Sequence, residues 1–259
     1  MIGFDFPIRP EWVHDVHLLC EPEMLVDELV SRVLAATMQE LGGRKTRKNT
    51  LGNIIRYLVR TEGHPSTRSR RLATCDALTI ASKSYPVEIV KPAYLFRLLL
   101  FNDVARSATA FLAKRHEIGD TVSRGNIRHH IVNQFGERKV VLNAVSSYVR
   151  TLEAFGIFTA AELQGTYNFA SRLPVGAEVF PLLVMSWTEW HSSPQIELDA
   201  FQHHTIFHCF NTDNFALLWQ KYARHLWSLE TRLGTERATL KYPETAAFER
   251  VLVTSLSLT

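Results

Sequence analysis

Residues 138–155 constrain the chain more than any other stretch, because their spacing fits a two-faced helix and little else. At the helical repeat, Val141, Ala144, Val145, Tyr148, Leu152 and Phe155 fall on one side, and Lys139, Asn143, Ser146 and Arg150 on the other. Gly156 follows, a residue suited to the left-handed position beyond a helix end. One face is built to pack on a core, and the other carries groups that can meet a partner. Upstream, the pattern predicts a helix over 93–115, a short linker, a helix over 123–135 and a turn at Gly136. The order is helix, helix, turn, helix. Residues 166–175 are predicted to hold a two-stranded wing with Gly165 as its turn residue, although Pro174 limits how far a strand can run.

The remaining segments also favour helices. Pro7, Pro10 and Pro22 predict an extended arm over 1–22, and Met24, Leu25, Leu29, Val33, Leu34 and Met38 a helix over 23–41 stopped by Gly42 and Gly43. Thr50 reads as the N-cap of a second helix bearing Leu51, Ile54, Ile55 and Leu58. Further helices are expected over 75–84, 177–190, 211–229 and 243–256, with an extended piece at 238–242 and no internal repeat. The fold class expected is therefore mainly α, a helical protein with a central winged-helix or helix-turn-helix-like unit and little β. Three regions are expected: an N-terminal arm and helical basic region (1–90), a winged-helix-like region (91–176) and a C-terminal helical region (177–259).

The overall charge of +3 conceals a division along the chain. Residues 1–43 carry 2 basic and 8 acidic side chains, residues 44–150 carry 20 and 7, and residues 151–259 carry 7 and 11. A positive block between two acidic ones is the electrostatic footprint of a chain that engages a polyanion through its middle.

Two parts of that block are candidate nucleic-acid contacts. On the helix over 138–155, Arg138, Lys139 and Arg150 can neutralise phosphates, Asn143 can pair with an adenine edge, and Ser146 is small enough to admit close approach. Arg124, Asn126 and Arg128 on the preceding helix would lie near the same duplex, while Glu153 opposes phosphate at the far end. Residues 44–71 hold 9 Lys and Arg against the single acid Glu62. Here Arg44, Lys45, Arg47, Lys48, Arg56, Arg60, Arg68, Arg70 and Arg71 are the candidate phosphate grip.

Signals for catalysis are lacking. No Gly-rich phosphate loop, glycine-flanked serine elbow or kinase signature occurs, and Glu197 with Asp199 reads as a solvated helix start. His204 and His208 are four apart and could share a helix face with His203 and Cys209 nearby, but no third ligand stands at a fixed offset; His129, His130 and His191 lie farther off. Neither a metal nor any other cofactor is expected. Cys20, Cys75 and Cys209 match no disulfide framework or zinc ribbon and suit a reducing compartment. The start of the chain does not read as a signal peptide, and stretches such as 98–101 and 182–185 are far too short to span a bilayer, so a cytoplasmic protein without a membrane partner is expected.

The polar helix entry Arg47-Lys48-Asn49-Thr50 and the segment Leu152-Glu153-Ala154-Phe155-Gly156-Ile157-Phe158, within a matching order of helices over 25–230, resemble the BrxA family of BREX bacteriophage-defence systems. The resemblance implies a small, largely helical, non-enzymatic DNA-binding protein, with double-stranded DNA and other subunits of a defence assembly as partners. A second reading is an adaptor or scaffold subunit of a multiprotein assembly, with or without RNA, in which the basic middle meets a partner or a guide RNA. It rests on Trp187, Trp190, Trp219 and Trp227 late in the chain, a cluster that can serve an interface or fill a core.

Overall fold

A computed structural model describes residues 6–62, 70–74, 76–223, 225–232 and 234–242. The chain opens with α1 (Pro10–Leu19), α2 (Val26–Ala36) and α3 (Arg44–Leu58), then a hairpin of β1 (Thr61–Glu62) and β2 (Arg71–Leu72). Helices α4 (Ala77–Ser84) and α5 (Val87–Phe101) lead into α6 (Asp103–Ala113), β3 (Thr121–Ser123), α7 (Arg124–Phe135) and α8 (Lys139–Ala154). A second hairpin follows, β4 (Phe158–Ala160) and β5 (Thr166–Phe169). The C-terminal part comprises β6 (Leu173–Pro174), α9 (Phe180–His191), β7 (Gln195–Glu197), α10 (Leu198–Gln202), a 3-10 turn (Thr205–Cys209), β8 (Phe210–Asn211), α11 (Phe215–Tyr222), β9 (Trp227–Arg232) and β10 (Thr235–Leu240).

With 56% helix, 15% strand and four small sheets among the described residues, the fold is mixed α/β, which overturns the expected mainly α fold with little β. The reason is length. The strands run for two to six residues, too short to print an alternating pattern on the sequence. The apolar period of 211–229 was misleading in the same way, since α11 stops at Tyr222 and Trp227 to Leu229 begin the edge strand of the β7-β10-β9 sheet.

Two helices are sharper than the spacing suggests. The apolar run over 93–115 is two helices, because Asn102 breaks it and its Oδ1 accepts the N–H of Ala105 (2.9 Å) to cap α6. The supposed N-terminal arm contains α1, with Pro10 in the first turn, where its missing N–H costs nothing. The expected helix over 243–256 lies outside the described residues.

Helix α5 is apolar on nearly all sides: Val90, Tyr94, Leu95, Phe96, Leu98, Leu99 and Leu100 are all buried. A helix with that pattern belongs at the centre of a fold, and α5 packs against α1, α3, α4, α6 and α9. Its Arg97 forks onto Glu189 of α9 at 2.6 and 3.0 Å. Trp187, Trp219 and Trp227 join Phe180, Phe201 and Phe215 in one aromatic core, so these tryptophans pack the C-terminal part instead of presenting an interface.

Helices α1 to α3 with the β1–β2 hairpin and helices α6 to α8 with the β4–β5 hairpin are built alike, which corrects the expectation of no internal repeat. In the second set, β3 precedes α7, and the sheet order is β3-β5-β4, so helix, strand, two helices and a hairpin follow one another. In the first set, Leu25 takes the place of β3, bridging Arg71 of β2 just before α2 starts. Val26 N–H donates to Arg70 C=O as Arg124 N–H donates to Gly165 C=O, both at 3.0 Å. Trp12, Val13, Val16, His17 and Cys20 of the first unit are buried, as are Val104, Ala105, Ala108, Thr109 and Leu112 at the same spacing in the second. The wing of the second unit is β4 and β5, with Gly165 (φ +81°) ahead of β5, and lies earlier than the predicted 166–175.

Candidate nucleic-acid interface

Helix α8 places its residues as its period requires. Val141, Ala144, Val145, Tyr148, Val149 and Leu152 are buried, Lys139, Asn143 and Arg150 are exposed, and Ser146 is half-buried with its Oγ donating to Leu142 C=O (3.2 Å). Two bonds hold the packing face in register. Tyr148 OH meets Thr109 Oγ1 of α6 at 2.8 Å, and Ile8 N–H donates to Thr151 Oγ1 at 2.9 Å. Burial pushes the Tyr148 phenol well above its usual range, so it stays a neutral hydrogen-bonding group. At the far end, Gly156 (φ +81°) donates to Glu153 C=O and Ile157 to Leu152 C=O, the paired bonds of a left-handed helix cap.

Beside α8, the N-terminus of α7 and the wing enclose a groove of about 450 Å³ lined by Arg124, Arg128, Asn143, Ser146, Gly165 and Thr166. Ser123 caps α7, its Oγ accepting the N–H of Gly125 at 3.2 Å, which aims Arg124 toward the wing. Arg128 reaches Glu137 at 3.4 Å across solvent, a contact weak enough to be exchanged for a phosphate. Arg138 is exposed at the helix entry and donates to Phe135 C=O (3.1 Å). Asn126 does not join this groove. It lines a separate cleft with Phe111, Arg115, His129 and His130, where burial lowers the His130 pKa with help from Lys114 and Arg115.

Helix α3 differs from its expected form in a way that matters for the site. It starts at Arg44 after Gly43 (φ +79°), so Arg44 to Lys48 are its first turns, and Thr50 is a buried mid-helix residue instead of a cap. Arg44, Lys45, Lys48, Asn49, Gly52 and Arg56 are exposed. Arg47 turns back to the body of the unit, donating to Leu34 C=O (3.3 Å) and Gln39 Oε1 (3.0 Å). Arg60 is half-buried past the helix end, with its backbone N–H on Asp76 (3.4 Å). Arg70 donates to Thr61 Oγ1 (2.7 Å) and Arg71 to Glu23 C=O (3.2 Å), so both lie along the small sheet. Arg68 lies outside the described residues.

Helices α3 and α8 share a pattern of buried residues that the sequence reading does not find. Thr50, Leu51, Asn53, Ile54, Ile55, Tyr57 and Leu58 match Ala144, Val145, Ser147, Tyr148, Val149, Thr151 and Leu152 one for one. In that register Arg44 matches Arg138, Lys45 matches Lys139, Asn49 matches Asn143 and Arg56 matches Arg150, with small Gly52 opposite small Ser146. The signal stood in the sequence as Arg-Lys, then Asn four residues on and Arg seven beyond it. It is masked by core residues that differ in type.

The histidine group forms no ligand set. His204 Nδ1 accepts the N–H of Ile206 (3.3 Å) to cap the 3-10 turn and packs on Trp187 and Trp190, while His208 sits edge-on to Phe169. They do not share a helix face. Burial lowers the pKa of both, and His203 is exposed beside Asp199 at 3.3 Å. No group of three or more His, Cys, Asp or Glu among the described residues is placed to hold a metal ion. No described helix is long and apolar enough to cross a membrane. Comparison with known proteins finds no matching family model, no similar curated protein and no similar solved structure.

Proposed function

We propose that this protein is a non-catalytic, cytoplasmic binder of double-stranded DNA that lays α8 into the major groove and supports it with phosphate contacts from α3. The observation that carries this reading is the outward face of α8, with Lys139, Asn143 and Arg150 exposed, and with Asn143 and half-buried Ser146 lining a groove shared with Arg124, Arg128 and the hairpin at Gly165 and Thr166. A helix of about 10–12 Å diameter fits a major groove of about 12 Å, and a two-faced helix packed on its apolar side presents its polar side outward. The cations at Arg44, Lys45, Lys48 and Arg56 add the counterion release that dominates non-specific affinity. The resemblance to the BrxA family turns this reading toward bacterial phage defence, with other subunits of a defence assembly as further partners. The adaptor reading loses its motive, because Trp187, Trp219 and Trp227 are buried and Trp190 is half-covered under Arg106.

Fluorescence anisotropy with labelled DNA duplex, single-stranded DNA and RNA duplex over a salt series tests the proposal. The DNA duplex should bind tightest, with log affinity falling linearly in log salt at about −0.9 per phosphate neutralised. Equal affinity for all three probes, or none at low salt, would overturn it.

A further inference from the structure

We infer that α3 is a second base-reading helix acting through Asn49, so that the duplex recognised carries the same short adenine-containing element twice. The inference rests on the duplex-binding reading and deepens it by naming the form of the ligand. Two helices that share seven buried positions in register, with only Val141 of α8 facing a half-buried residue, Arg47, present the same outward side chains in the same order: Lys45 and Lys139, Asn49 and Asn143, Arg56 and Arg150. Neither asparagine amide has a hydrogen-bond partner among the described residues, and both are exposed. A primary amide held at the floor of the major groove pairs bidentately with adenine N6 and N7. One turn on, Gly52 and Ser146 leave room for the approach that such pairing needs. Glycine inside a helix interior weakens it, so its presence at 52 calls for a reason of this kind.

The surroundings of the two helices differ, and the differences bear on phosphate more than on bases. Ahead of α3, α2 carries Asp27 and Glu28, and Glu28 is tied to Arg32 at 2.7 Å. The equivalent start of α7 carries Gly125 and Asn126. On α3, Lys48 is exposed where α8 has Leu142. The first unit therefore takes its phosphate charge from the reading helix itself, and the second from the helix before it. Readers that share Lys, Asn and Arg on unequal supports select the same base at two places with unequal strength. Because α4 and α5 join the units within one chain, a single molecule spans both elements.

Selection of the full chain against a randomised DNA duplex pool tests this. The recovered duplexes should carry one short element in two copies, each with an adenine. Asn49→Ala should relax the adenine preference in one copy and Asn143→Ala in the other, each by about 10-fold or more, with both variants folded because the side chains are exposed. Recovery of a single element, or an Asn49→Ala profile identical to wild type, would overturn the inference while duplex binding stands. Duplex retention without any sequence preference would overturn it too. Failure of the wild-type chain to retain duplex at low salt would remove the duplex-binding reading and this inference together.

Discussion

Asn49 and Asn143 stand at the same position on two helices, each preceded four residues earlier by a lysine and followed seven residues later by an arginine. Behind each, the residues on the adjoining positions are buried in the same register, Leu51 with Val145 and Ile54 with Tyr148. The two asparagines are thus held by equivalent scaffolds, and their environments differ mainly in the charges that flank them.

The first prediction separates gripping from bracing among the basic residues of α3. Arg44, Lys45 and Lys48 are exposed, so the triple alanine variant should lower affinity for all duplexes alike and reduce the salt slope by about 2 to 3. Arg47→Ala should leave the slope unchanged and cost about 1 kcal/mol of stability, because its bonds go to Leu34 C=O and Gln39. Salt titrations alongside urea unfolding distinguish the two effects; an Arg47→Ala slope change as large as that of the triple variant would contradict the assignment.

The second concerns the buried joint between α6 and α8. Tyr148→Phe removes the hydroxyl that meets Thr109 Oγ1 at 2.8 Å while keeping the ring. Stability should fall by about 1 kcal/mol, which lowers the melting temperature by about 2–4 °C in a chain of this size. No change in calorimetry would mean that the joint contributes nothing.

Gly156 gives the third. Its φ of +81° is strained for an L side chain, and a Cβ there would meet nothing within 4 Å, so Gly156→Ala tests backbone conformation alone. A loss of about 1 kcal/mol in denaturant unfolding is expected. A stabilised variant would show that the helix end is not fixed in the left-handed form.

The fourth is a pH dependence. His17 is fully buried, bonded through Nδ1 to Thr79 Oγ1 (2.8 Å) and stacked on Tyr94. Burial pulls its pKa down from 6.5 to about 4, with Arg97, His14 and Lys83 acting the same way and Asp76 opposing. The unfolded chain therefore holds the extra proton between those two values. The stability that neutral His17 confers is whole above pH 6.5 and is lost as the pH falls toward 4, at up to about 1.4 kcal/mol per pH unit. Urea midpoints over this range should fall with acidity in the wild type, and less steeply by about one proton in His17→Gln. Equal slopes would contradict the burial argument.

How much was legible in the sequence follows from the same elements. Helix α8 could be read because six apolar residues keep one face and Gly156 ends it. The spacing puts the start of α3 seven residues late, because Arg44 to Lys48 carry no apolar residue and Thr50 looks like a cap; the entry is set by Gly43 instead, without a side-chain cap. That error hid the repeat, since the matching Arg-Lys pair was assigned to the approach to a helix. Unequal turns deepened the concealment, with residues 37–43 separating α2 from α3 but only 136–138 separating α7 from α8. Charge or proximity in sequence groups Arg47 and Asn126 with the site, and only packing shows that they turn elsewhere.

The measurement that bears most directly on the central claim is the location of the charge that binds DNA. Lys139→Glu with Arg150→Glu reverses two exposed cations on the polar face of α8, whereas Lys221→Glu reverses an exposed cation on α11. Anisotropy titrations with one DNA duplex at fixed salt should show the α8 double variant weakened by about 100-fold, and Lys221→Glu within about 2-fold of wild type. Equal weakening by the two, or wild-type affinity in the α8 variant, would contradict the account.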